Sequence, residues 1–536
     1  MKKHFSSACS SLMPIIYLPA LQKKLILFVA LLYFSLTSFV NQNHSFFTSI
    51  KDFGATGDGK TVDTKAINDA IDATVKNGGG TVYFPAGIYL SFSIHLKSNI
   101  ALYFEQGCVL LAADSTASGK FDDAEPNEWG DKYQYQDYGH SHWHNSLIWG
   151  ENLENISILG PGIINGAGLR RGASARRPWG NKSIALKLCR NVNLKDFTIL
   201  NGGHFGILAT GVDNMTIDNL RMDTNRDGMD IDCCSNVRIS NCTINSPWDD
   251  AICLKSSYGL GYLMATENVT ITNCQVSGYD LGTFYNGTYQ RKEWNRVPDK
   301  QGPTGRIKFG TESNGGFKNI TISNCVFDYC RGFALETVDG GLLENVAITN
   351  ITMRDIVNAP IFLRLASRMR TPINDSTIGA LRRVMISNVM VYNADSHFAS
   401  IISGVPEKSV EDVQLNNIRI YYRQMDSAVA KIPAIVPENS KGYPEPANLG
   451  IMPAYGFFIR HAKNIQLNNV EVSFMGEETR PAFVIDDVKG IDMFRVKAQA
   501  ATGVKNFVLK NVERFSLKDR TDSKERNFEK LKTTSF

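Results

Sequence analysis

Between Asn214 and Lys255 the chain writes one alternation twice. Asn214-Met-Thr-Ile-Asp-Asn-Leu and Asn236-Val-Arg-Ile-Ser-Asn-Cys both run Asn, apolar, polar, apolar, polar, Asn, apolar. That is the period of a strand whose side chains leave on opposite faces. The same opening recurs at Asn155, Asn191, Asn268, Asn319, Asn345, Arg383, Asp412, Asn464 and Asn506. Spacings of 23 (Asn191 to Asn214), 22 (Asn214 to Asn236) and 26 (Asn319 to Asn345) recur where no loop intrudes. A strand this short cannot bury its apolar face alone, but it can do so against the next coil of a solenoid. The pattern predicts an all-β, right-handed parallel β-helix, its hand being the usual one for parallel crossovers. Asn at a fixed corner of each coil is then placed to bond to the Asn above and below.

The repeats also place chemistry. Asp227 and Asp249 each lie thirteen residues after their repeat's first Asn, and the same count from Asn191 reaches His204. A stacked column of His204, Asp227 and Asp249 is expected, with Asp250 beside it. Asp residues decorate the turns of any β-helix, but three at one level make an acid and base pair available.

Flanking segments break the repeat. Residues 1–40 carry Lys2, Lys3, Lys23 and Lys24 and then sixteen uncharged residues, Leu25 to Val40. This reads as an export signal or signal anchor, so the protein is expected to be exported to the periplasm, the medium or the cell surface. Residues 46–512 form the β-helix domain. Near its start Asp63 is placed to cap a short helix whose Ala66, Ile67, Ala70 and Ile71 share one face, a lid for the open end of the solenoid. Gly54 to Gly59 lacks the Lys-Ser/Thr ending of a phosphate loop and reads as a turn. Residues 513–536 form a charged tail, expected to be a solvated extension from Lys518 onward.

Two long insertions lie on either side of the acid coils in sequence. Trp129 to Trp149 holds His140, His142 and His144, without a fourth metal ligand in sight. Gly278 to Gly305 holds Tyr279, Tyr285, Tyr289, Arg291, Lys292, Trp294 and Arg296, a mixture suited to sugar rings that carry acid groups. No metal and no cofactor are expected. The net charge of +4 has no basic block behind it, so no nucleic-acid partner is implied. Ten cysteines suit disulfides in an exported chain, yet Cys242, Cys274 and Cys325 fall at one repeat offset and read as a buried ladder of thiols. No protein partner is implied.

Cleaving a glycosidic bond takes one carboxylic acid to protonate the leaving oxygen and a carboxylate to activate water. Like charges in contact push their pKa values apart, which keeps one acid protonated. At this point Asn225-Arg-Asp-Gly-Met-Asp230 resembles the Asn-Thr-Asp-Gly-x-Asp motif, and Trp248-Asp-Asp-Ala-Ile-Cys-Leu-Lys-Ser256 the Asp-Asp motif, of glycoside hydrolase family 28, the polygalacturonases and rhamnogalacturonan hydrolases. The likeness runs from about Ile50 to about Val512. It implies the β-helix fold, Asp249 as general acid, Asp227 and Asp250 as holders of the attacking water, an inverting course, and a plant cell-wall polysaccharide or oligosaccharide as substrate. His204, Asn225, Lys255, Arg306, Lys308 and Glu336 are the expected sugar contacts. Two elements depart from the family: Thr304-Gly-Arg306 stands where Gly-His-Gly is expected, and Ala334 and Glu336 replace both cations of Arg-Ile-Lys. A lyase of the same fold, with Lys255, Arg306 or Lys308 as base and calcium on the carboxylates, is one competing reading. A non-catalytic carbohydrate-binding β-helix is the other.

Overall fold

The computed structural model describes residues 47–536 apart from 115, 132–137, 171–179, 293–301, 373–376, 426–431, 434 and 519–524. The export or anchor segment lies outside the described residues, as do Trp294 and Arg296. Among the described residues thirty-five strands join one sheet, coiled so that all but the last pair in parallel with an equivalent strand one turn away. The chain is a parallel β-helix, as the repeats predict.

What makes each coil turn is the corner asparagine. Asn155, Asn191, Asn214, Asn236, Asn268, Asn319 and Asn345 all sit at φ between 55° and 59°, a left-handed conformation that Asn adopts at lower cost than other side chains. Their amides then form the expected ladder. Asn191 Nδ2 donates to Asn155 Oδ1 at 3.0 Å, Asn214 to Asn191 at 2.8 Å, Asn319 to Asn268 at 3.2 Å and Asn345 to Asn319 at 3.0 Å. Inside the corner, Val192, Met215, Val237, Val269, Ile320 and Val346 stack in register and are buried. Each such side chain contributes about 1.5–3 kcal/mol by leaving water. Asn506 is not at this corner. Gly490 (φ 84°) and Arg514 (φ 53°) hold it in the last coils, with Ile491 and Phe515 stacked in turn on Ile465.

The lid is α1, Thr64–Lys76, whose Ile67, Ala70 and Ile71 are buried. Asp63 stands at its N-cap position but makes no side-chain bond to the helix. Its carboxylate instead accepts from Thr56 N (2.7 Å), Thr56 Oγ1 (3.1 Å) and Gly57 N (3.0 Å), closing the glycine turn. The charged tail also differs from expectation. Arg526–Ser535 forms a strand antiparallel to Phe507–Lys518, with Leu531 opposite Val512 and Phe528 opposite Phe515, so a boundary at 512 falls inside a strand. Phe528, Leu531 and Phe536 supply enough apolar surface to pack on the core. All nine described cysteines are buried and free of disulfides, which fits the thiol-ladder reading. Among the described residues no helix is long and apolar enough to cross a membrane.

One face of the solenoid positions the site. Its strands are β1 (Phe205–Thr210), β2 (Asp227–Asp232), β3 (Ile252–Ser256), β4 (Ile307–Ser313), β5 (Phe333–Thr337) and β6 (Ile361–Leu365), paired in that order. The outward row across them reads Leu208, Asp230, Cys253, Lys308, Ala334, Phe362. It is polar in the middle and apolar at both ends. Trp143 covers the first end, packing with Phe205 and Leu208. Leu449, Met452 and Ala454 cover the other, over Ala334 and Phe362. The acids stand between these two walls.

Candidate active site

Asp227 opens β2, and Asp249 and Asp250 sit in the turn before β3. One carboxylate oxygen from each of the three lies within 4.8 Å of the others. The expected His204, Asp227, Asp249 column is not what brings them together. Phe205 pairs with Asp227, and Met229 with Ile252, which puts Asp227 level with Asp250 and puts His204 level with Arg226 and Asp249. Counted at the corner asparagines the successive coils are 23 and 22 residues long. Counted on this face (Phe205 to Asp227, Met229 to Ile252) they are 22 and 23, because the turn leading into β2 is one residue shorter than those leading into β1 and β3. A one-residue shift is enough to change a side chain's level and face.

Arg226 fills the position so vacated. Its Nε donates to Asp249 Oδ2 at 2.8 Å and lies 3.8 Å from Asp227 Oδ2. Its Nη1 faces the His204 ring, in contact with both Nδ1 (2.7 Å) and Nε2. Asp249 is the open member of the set, its side chain 25% exposed, whereas Asp227 and Asp250 are buried. Asn225 is half-buried at the same turn.

Behind the acids lies a second layer of charge. Arg306 Nε donates to Asp250 Oδ1 (2.9 Å), and its two terminal nitrogens fork onto Glu445 (3.1 and 2.8 Å). Arg331 and Asn358 also donate to Glu445, at 2.7 and 2.9 Å. Lys308 Nζ lies 3.6 Å from Asp250 and 3.6 Å from Glu336, and bonds to the hydroxyls of Thr311 and Tyr443, both at 3.1 Å. Lys255 bonds to Glu312 at 3.0 Å and lies 3.9 Å from Asp230, which His140 also holds (2.6 Å). Lys255, Arg306, Lys308 and Glu336 are therefore near the acids but buried behind them. Both oxygens of Glu336 are fully enclosed without a hydrogen bond.

The first insertion supplies one wall through Trp143. His140, His142 and His144 go to three different carboxylates, Asp230, Asp131 and Glu151. In the second insertion Arg291 is committed to Asp355 (2.8 Å) and lies over the Tyr329 ring, while Tyr285 N bonds to Asp223, two residues from Asn225. Sequence reasoning missed Arg226, Arg331, Tyr443 and Glu445. Arg226 was in view, inside the motif where the family has Thr. Tyr443 and Glu445 belong to a third repeat-free stretch, visible by the same irregularity that marks the other two.

These contacts split the acids. Burial, then Asp230 and Asp249, push the Asp227 carboxyl well above the ordinary range, toward its protonated form. Burial would raise Asp249 as well, but Arg226, Lys308 and Lys255 outweigh it and hold Asp249 below its ordinary value. Burial also lifts Glu336 to about 7 against the pull of Lys308 and Arg306. In Glu445 the cations win over burial, and the carboxyl falls to about 2. The Asp227 and Asp249 carboxyls are thus shifted in opposite directions by their surroundings, which is how acid and base roles are set apart.

Comparison with known proteins places this geometry. Residues 47–157 match the family model described as rhamnogalacturonase A/epimerase, pectate lyase-like, and residues 182–378, which include all three acids, match the right handed beta helix region. A probable polygalacturonase of Vitis vinifera is 29% identical over 320 residues, covering 54% of this chain and 61% of that protein. The exo-poly-alpha-D-galacturonosidase of Dickeya chrysanthemi is 31% identical over 177 residues, 31% of this chain and 27% of that one. The family 28 exopolygalacturonase of Yersinia enterocolitica has the same fold, with a TM-score of 0.59 at 20% identity over 83% of this chain and 78% of that one. The chain is similar to polygalacturonases and shares the fold of a family 28 exopolygalacturonase. Its coil is accordingly right-handed. It spans about three fifths of the grapevine relative's length and about a quarter of the Dickeya relative's.

Within this site, Arg226 and the buried cations already neutralise the acids. Asp249 and Asp250 each accept from an arginine, which leaves the trio poorly suited to a divalent ion.

Proposed function

We propose that this protein is an exported, inverting glycoside hydrolase that cleaves α-glycosidic bonds of galacturonate-containing pectic polysaccharide and releases short products from a chain end. The observation that carries the reading is the trio of Asp227, Asp249 and Asp250, one carboxylate oxygen of each converging within 4.8 Å. Asp249, at the open mouth, protonates the leaving oxygen. Asp227 and Asp250, level with each other, hold the attacking water. Oxygens this close are nearer than the roughly 6.5–9.5 Å usual for an inverting pair, so inversion rests on the family likeness and on the third carboxylate. Both the grapevine and Dickeya relatives are named for polygalacturonate chemistry, the latter for exo action. Walls at both ends of β1 to β6 suit a groove that admits a chain end. Incubation with pectic polymers, with products sized and the first anomer read by NMR, tests the reading. Short products from the outset support it, and a rapid early fall in viscosity would mean internal cleavage.

The cation side of the cleft sets the preferred leaving sugar. Ala334 replaces one family cation, Glu336 the other, and Arg306 and Lys308 are spent on Glu445, Asp250 and Glu336. Neither Arg306 nor Lys308 is left over for a leaving galacturonate. A neutral leaving sugar such as rhamnose loses nothing. Homogalacturonan is therefore expected to be cleaved more slowly than a substrate in which galacturonate is joined to a neutral sugar, and matched assays on the two decide it.

The lyase reading makes a different forecast about metal. With the acids held by arginines, excess EDTA is expected to leave the rate unchanged. Loss of activity that calcium restores, with products absorbing as unsaturated sugars, would establish a lyase instead.

A further inference from the structure

The resting site has a contradiction built into it. Asp249 is the carboxyl that faces the cleft, yet Arg226 binds it at 2.8 Å as a carboxylate. A proton donor cannot begin its work in that state. The carboxyl pushed toward its protonated form is one residue level away, Asp227, which Arg226 also approaches at 3.8 Å. The charged groups around Asp249 are Arg226, Asp227 and Asp250, with Lys255, Lys308 and Tyr443 further in. Of its cations only Arg226 is partly open to the cleft, with 27% of its side chain exposed. Lys255 and Lys308 are buried in bonds to Glu312 and Glu336 or Tyr443.

We propose that Arg226 is the residue that reads the substrate's carboxylate, and that by leaving Asp249 for it Arg226 arms the site. This rests on the hydrolase reading above. The guanidinium exchanges one planar carboxylate for another, a bidentate match that lysine or threonine cannot make. Asp249 then stands among acids without its nearest counter-ion. The O–H bond of Asp227 breaks as an O–H bond forms on Asp249, directly or through one water, so one proton moves and no charge is created. Asp249 becomes the acid and Asp227 the carboxylate that orients water. The free site is held inactive, and a uronate is its trigger.

The test compares an oligogalacturonide with its methyl ester for the wild type, Arg226→Thr and Arg226→Lys. Wild type is expected to favour the free acid in kcat/KM by about tenfold to a hundredfold, the range of a charge-assisted hydrogen bond. Arg226→Thr, which installs the residue of the family motif, is expected to lose that preference. Its acidic group seen in kcat/KM should move up in pH, because the cation holding Asp249 ionised is gone. Arg226→Lys should fall between. A parallel fall on both substrates with an unmoved pH profile would mean that Arg226 only supports the fold, and overturns the proposal. So would a wild type that treats acid and ester alike, a measurement that needs no variant to fold. A wild type that cleaves neither galacturonide nor a substrate in which galacturonate is joined to a neutral sugar would instead sink the hydrolase reading itself.

Discussion

Asp249→Asn is expected to lower turnover on a pectic oligosaccharide by about a hundredfold or more while the coil stack stays folded. General acid catalysis contributes factors of that order, and an amide has no proton to give at the leaving oxygen. The substitution keeps the shape of the turn. Asp249 Oδ1 accepts from Asp250 N at 3.0 Å, and an amide oxygen can do the same. The cost falls on the other oxygen, where Arg226 donates at 2.8 Å. An amide nitrogen there faces a donor, so Arg226 turns to His204 or solvent. Because Asp249 and Arg226 are both partly exposed, water can take over that bond. Circular dichroism before and after heating separates the two effects. Wild-type rates from a well-folded Asp249→Asn would remove Asp249 from the mechanism.

The largest loss of stability is expected at Arg306. It is buried and binds Asp250 on one side and Glu445 on the other. Arg306→Met preserves bulk but leaves two buried carboxylates short of their strongest partner. Breaking a buried pair by removing one member costs about 3–5 kcal/mol. Glu445 keeps Arg331 and Asn358, and Asp250 keeps Lys308 at 3.6 Å, so the lower end of that range is the expectation. Adding Glu445→Gln to Arg306→Met should cost less than the sum of the single changes, since the second removes the charge the first has stranded. Denaturant midpoints for the three variants measure this. An unshifted midpoint in Arg306→Met would mean that water reaches the pair and screens it.

The corner asparagines were legible in the sequence because their signal is local: one residue in a left-handed turn, then a strand alternation, repeated. Arg383 and Asp412 show that the pattern survives a change of residue, with φ of 54° at both. Asn506 shows where it misleads, since a matching string of letters lies just ahead of a strand rather than at a corner. The acids were legible as a set but not as a column, because a count along the chain cannot tell which turn of a coil holds an extra residue. Arg306 and Glu445 are 139 positions apart, and no periodicity connects them. Their pairing depends on a repeat-free segment folding back over β5, which only the three-dimensional structure displays. The tail misled for a related reason: a composition rich in charge concealed Phe528, Leu531 and Phe536, spaced to pack on the last coil.

That last strand has a consequence for how the molecule behaves among its own copies. A parallel solenoid is an open-ended filament in principle, because its final coil offers a row of unpaired amides and carbonyls on which another chain can grow. Arg526–Ser535 occupies that row from Val508 to Leu517 and runs against its direction. The new edge it presents reads Arg526, Asn527, Glu529, Lys530 and Lys532, all solvent-facing or nearly so. A second copy docking there would meet charge and a strand of the wrong polarity. The reversed strand therefore leaves Phe507–Lys518 without an open edge for a further parallel strand, so the repetition that builds the coils is interrupted at this point.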